Sequence, residues 1–217
     1  MGRTAMIENT RGPTGMSVNR VEALSDGVFA IAMTVLVLGI RVPDGGGAGG
    51  LRAQLGVLWP KFASYAMSFV MLGVLWIGHH FQFQYIRRTD RPLLWPNLVF
   101  LLFITFLPFS TAVLGNYFDT AIAVALYGGT VMVSGGRLLL HWRYATSRPQ
   151  LVSADLEPAV IASIGRRIMV GLALTAAATA AGFVAIPLSL GIFLLIPATY
   201  LVKSRVDLHV AGRQTHP

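Results

Sequence analysis

Cysteine is absent from all 217 residues. That excludes a disulfide framework, a thiolate nucleophile and a cysteine-based metal site together. Charge is scarce as well: only 12% of the residues are Asp, Glu, Lys or Arg, where a soluble domain carries about 25%. No series of arginines at every third position supports a voltage sensor. No phosphate loop, activated nucleophile or metal-ligand spacing accompanies the histidines, so an enzyme is not expected. Residues 1–18 hold no apolar core of a signal peptide, so the first apolar segment is expected to direct insertion itself.

What the chain does have is apolar length. Hydrophobic residues make up 54%, and the mean hydropathy is +0.64. These values predict an all-α integral membrane protein. The formal charge of +8 would point to nucleic acid in a soluble protein. Here nearly all the Lys and Arg residues lie between the apolar segments, and no nucleic-acid partner is expected.

A spanning helix needs about 20 mostly apolar residues, and Arg, Pro and Gly clusters divide the chain into six such runs. They are predicted over about 20–42, 58–85, 93–115, 119–142, 166–186 and 188–203, in a single domain covering 1–217. The last two come from one apolar stretch near the C-terminus. Its 35 residues would extend about 52 Å as a single helix, against a hydrocarbon core of about 30 Å. A hairpin turning near Pro187 and Ser189 is therefore expected. "DGGGAGG", residues 44–50, reads as a flexible loop. The basic residues cluster before helix one, after helix two, around the fourth connector and at the end of the chain. The positive-inside rule then puts both termini in the cytoplasm, with Arg41, Arg52 and Lys61 of the first external loop breaking the pattern.

Polar groups at membrane depth default to functional hypotheses; here they are Asp26, His79, His80, Arg137 and the amide Asn97. Measured from the basic boundaries at 1.5 Å per residue, Asp26 lies about 9 Å deep, His79 about 12 Å and Asn97 about 9 Å. A carboxylate, an imidazole and an amide on three consecutive helices thus share a depth, with Ser25 as a fourth member of a hydrogen-bonded cluster. Such a cluster serves either as interhelical adhesion or as an ion or proton site. Adjacent His79 and His80 point about 100° apart on a helix, which argues against a metal held with Asp26. Leu24, Ile31, Val35 and Leu38 form an aliphatic stripe with Thr34 beside it, and Asp26 lies about 140° from Ile31. That stripe can face lipid, another helix or its own symmetry mate.

"RVEALSDG" followed by "VFAIAMTVLVL" resembles the first-helix signature R-x-x-x-F-S-D of the transmembrane protein 175 family, with Leu24 in place of the aromatic residue. "WIGHHFQFQ" and "NLVFLLFITFLPF" resemble that family's second and third helices, and the likeness is strongest over residues 20–110. The resemblance implies a potassium-permeable channel in the inner membrane of a prokaryote. It implies one six-helix unit per chain, assembled as a homotetramer in the lipid bilayer, with monovalent cations as cargo and no resident cofactor. It also implies a pore lined by the first helix and constricted by Ile31, Val35 and Leu38, with Thr34 tuning selectivity. No T-V-G-Y-G segment is present to build a carbonyl filter. Arg20, Ser25, Asp26, His79 and Asn97 would hold the first helix against the next two. The competing expectation is a proton-coupled secondary transporter titrating Asp26 and His79. Stoichiometry separates the two, because a pore on a subunit axis requires an oligomer.

Overall fold

The computed structural model describes residues 17–41 and 47–197. Seven helices account for most of them: α1 Val18–Leu38, α2 Gly47–Val57, α3 Trp59–Phe83, α4 Arg91–Asn116, α5 Ala121–Thr146, α6 Pro158–Ala181 and α7 Ile186–Leu195. Five of these, α1 and α3 to α6, are long and apolar enough to cross a membrane, and α7 is a shorter apolar helix. Among the described residues there is no strand, and Ile86 and Val152 form an isolated bridge. The protein is therefore a multi-pass, all-helical membrane protein.

The helix boundaries follow local chemistry. The Asp90 carboxylate accepts from the Leu93 N–H at 2.9 Å and caps α4, with Pro92 in the first turn where its missing N–H costs nothing. Thr120 caps α5 through the Ala123 N–H at 3.4 Å. Two expectations are corrected at such positions. The hairpin does not turn at Pro187 and Ser189: α6 ends at Ala181, the turn occupies residues 182–185, and Pro187 sits in the first turn of α7. Proline there starts a helix rather than breaking one. The same logic begins α6 at Pro158, ahead of the expected residue 166. Within the glycine-rich stretch, α2 already starts at Gly47, so residues 47–50 are helical; residues 44–46 lie outside the described residues, as does the expected end of the last helix at 203.

α1 packs on α3 and α4, α4 packs extensively on α5, α5 on α6, and α6 on α7. Small residues allow the closest approaches. Gly128 and Gly135, seven residues apart on α5, face Thr179 and Leu172, seven residues apart on α6. A Cβ at Gly128 would collide with the Thr179 side chain, and one at Gly135 would come within 3.0 Å of Leu172. Without a hydrophobic force between helices in lipid, such backbone proximity is what van der Waals packing requires. The core is filled by Phe29, Met71, Leu72, Phe100, Ile104, Tyr127 and Trp142, all almost fully buried.

Candidate pore helix and its anchor

α1 presents two different faces. Val21, Ser25, Phe29, Ala32 and Leu36 are buried against α3 and α4. On the opposite side Ile31 is 64% exposed, Leu38 73%, Val35 41% and Leu24 49%. Thr34 is also exposed, and its hydroxyl donates back to the Ile31 carbonyl at 2.8 Å. Among the described residues, nothing else in the subunit covers this stripe.

The buried face is held by a directional chain of hydrogen bonds. The Ser25 hydroxyl donates to the Val21 carbonyl at 2.9 Å, which leaves its oxygen free to accept from Asn97 Nδ2 at 3.4 Å. With that amide nitrogen committed, Asn97 Oδ1 is the acceptor facing His79 Nε2 at 2.9 Å. The imidazole proton is thereby assigned to Nε2, and among the described residues the buried Nδ1 finds no donor for its lone pair. The chain runs from α3 through α4 to α1. Around it the His79 ring lies nearly parallel to Phe100, with centroids 5.3 Å apart, and stacks on Phe83 at 4.5 Å. Phe29 leans on both His79 and Phe100, at 6.2 and 5.8 Å.

Asp26 is not part of that chain. Its Oδ1 accepts from Trp76 Nε1 at 2.9 Å, in a second and more exposed layer. The Trp76 ring stacks on His80 at 5.6 Å, and His80 Nδ1 lies 3.2 Å from the Glu22 carboxylate. Glu22 and Asp26, one turn apart on α1, therefore meet His80 and Trp76, one turn apart on antiparallel α3. Arg20 is exposed; among the described residues its guanidinium joins neither layer, while its N–H bonds the Ser17 carbonyl. His79 and His80 thus serve different neighbours, α4 and α1. Among the described residues no group of three His, Asp or Glu side chains is placed to hold a metal ion.

Three participants are not evident from the sequence. Trp76 is a polar donor at the Asp26 layer, but an indole counts as apolar in any hydropathy scan. Gln82 and His141 form a buried pair in which His141 Nδ1 donates to Gln82 Oε1 at 2.8 Å, while Gln82 Nε2 donates to the Leu138 carbonyl at 3.0 Å. A neutral glutamine and a histidine near a helix end left no ionisable signal at membrane depth. Their common feature was position: Gln82 lies one turn from His79 toward the basic turn.

A multi-pass helical bundle that leaves one face of its first helix uncovered, and fastens the other through a hydrogen-bonded chain, has the construction of a subunit completed by its surroundings. Residues 20–108 match the family model described as endosomal/lysosomal potassium channel TMEM175. A protein named as a potassium channel from Streptomyces collinus is 36% identical over 200 residues, covering 90% of this chain and 92% of that one. Another, from Chamaesiphon minutus, is 31% identical over 197 residues, covering 88% of this chain and 97% of that one. The solved structure of a lysosomal potassium-selective channel TMEM175 homolog from Chamaesiphon minutus superimposes with a TM-score of 0.75 at 32% identity, covering 88% of this chain and 98% of that one. The chain belongs to the TMEM175 family.

Proposed function

We propose that four copies of this chain gather around a central axis with α1 innermost, forming a potassium-permeable channel in a prokaryotic inner membrane with both termini cytoplasmic. The observation that carries the reading is the uncovered aliphatic stripe of Ile31, Val35 and Leu38 on a helix whose other face is buried. Relatives spanning nearly the whole chain are named potassium channels, which supplies the ion. Rings of these side chains would block ions by dewetting when narrow, and pass partly hydrated cations when the helices tilt or rotate apart. Thr34, next to the stripe, offers a hydroxyl at the same level and is the residue assigned to selectivity. Ser25, Asp26, His79 and Asn97 set the tilt of α1 in this reading, and Arg20 marks the cytoplasmic boundary. A proton-coupled transporter would instead need Asp26 and His79 to exchange a proton, yet Asp26 bonds Trp76 and His79 bonds Asn97.

The natural lack of cysteine makes one experiment direct. Leu38→Cys introduces a single thiol on the exposed stripe, and a bulky, charged thiol reagent is expected to stop potassium flux through liposomes containing the protein. Full labelling with undiminished flux would remove Leu38 from the ion path.

A further inference from the structure

A cavity of about 660 Å³ opens between α7 and the ends of α3 and α4 remote from the arginine-rich turn. It lies on the side of α3 facing away from α1: Ala63, Met67 and Val70 line it, whereas Gly73, Trp76 and His80 turn toward α1. Trp59 and Phe118, in edge contact at 5.6 Å, form part of its wall, and Leu190, Gly191 and Leu194 of α7 form another. α7 packs mainly on α6, which leaves this gap beside α3.

The space is poorly suited both to standing empty and to holding water. Close-packed interiors do not keep voids of this size, because the lining atoms forfeit their dispersion contacts. At roughly 30 Å³ each, about twenty waters would fit, and each needs two to four polar partners. The lining offers one hydroxyl, Ser64, which already donates to the Pro60 carbonyl. The helices that bound it, α3 and α4, are long and apolar enough to cross a membrane, which surrounds such helices with lipid hydrocarbon. The volume falls within the roughly 300–1,000 Å³ of small-molecule sites.

We propose that this cavity binds one acyl chain of a membrane phospholipid, wedged between α7 and the α3–α4 pair. The exposed Trp59 indole marks the interfacial end, where the headgroup would lie. The site is separate from the α1 stripe, so it stands independently of the channel reading. A neighbouring subunit is the other possible occupant, and it belongs to the test.

Gly191 lines the cavity, and a Cβ built there meets no atom within 4 Å, so a large side chain enters the space without moving the backbone. Wild type, Gly191→Trp and the milder Gly191→Leu would be purified in mild detergent, washed with excess detergent and weighed by native mass spectrometry, with potassium flux measured in parallel. Wild type is expected to retain about one phospholipid per subunit, and Gly191→Trp about tenfold less, with assembly mass and flux unchanged. Gly191→Leu is expected to fall between them. Folded variants that retain as much lipid as wild type, or a wild type free of lipid, would overturn the proposal. So would an intersubunit disulfide from Ala63→Cys, which would assign the cavity to a protein contact. Lipid retention is read from mass alone, so failure of the channel reading would show separately in the flux.

Discussion

Two helix contacts in this bundle are built on different physics. α5 and α6 meet along most of their length through glycines at 128 and 135 packed against Thr179 and Leu172. α1 meets its neighbours through a buried apolar face whose side-chain polar contacts are confined to one end: Ser25 with Asn97, Asp26 with Trp76, and Glu22 beside His80. Beyond Asp26, among the described residues, α1 makes no side-chain hydrogen bond to another helix, and van der Waals contacts such as Phe29 and Leu36 alone hold it. Close backbone packing has no alternative arrangement that avoids a void or a clash. The hydrogen bonds lie at one end of α1, while Phe29, Ala32 and Leu36 pack the rest of its buried face into the core. The α5–α6 contact thus rests on close backbone approach and α1 on an apolar face with a polar tether at one end, and the tethered helix carries the uncovered stripe.

Substitutions at the two contacts should differ in kind and size. Gly128→Val places a branched side chain where the Thr179 side chain already sits, and is expected to cost about 3 kcal/mol, read as lost monodisperse protein after heating in detergent. Gly128→Ala should show a smaller loss in the same assay. Asn97→Ala removes the middle of the His79-to-Ser25 chain and leaves the His79 N–H buried without an acceptor, for about 2 kcal/mol. A cost for Asn97→Ala equal to that of Gly128→Val would erase the distinction between tether and scaffold. Trp76→Phe keeps the ring against His80 but removes the donor to Asp26, and about 0.6 kcal/mol is expected, since interhelical bonds in membranes average that little. Its flux should change by a larger factor than its stability if the outer layer sets the tilt of α1. Unchanged flux would confine that role to the buried chain.

Much of this arrangement was legible in the residues because bilayer thickness and helix rise are fixed lengths. Counting 1.5 Å per residue brings Asp26, His79 and Asn97 to one depth with Ser25 beside them, and of these His79, Asn97 and Ser25 are hydrogen-bonded in sequence. Depth alone does not give azimuth, however. Asp26 shares the level but looks toward Trp76, a partner invisible to a search for ionisable groups. Pro187 looked like a breaker because a proline's role depends on whether it falls inside a helix or in its first turn, and the preceding residues 182–185 carry the turn without a proline. The glycines of 47–50 looked flexible by composition, yet α2 begins among them. The α5–α6 contact was the least legible of all: Gly128 and Gly135 gain meaning only opposite Thr179 and Leu172, on the next helix.

The most direct test of the central claim is potassium flux into liposomes containing purified protein, wild type beside Ile31→Asn, under potassium and sodium gradients. A hydrophobic constriction on α1 predicts potassium-favouring flux in wild type and a rise of about tenfold or more in Ile31→Asn, because an amide ring at that level hydrates the pore. Equal flux from the two proteins, both assembled, would contradict a gate at Ile31, and uptake appearing only under a proton gradient would replace the channel with a transporter.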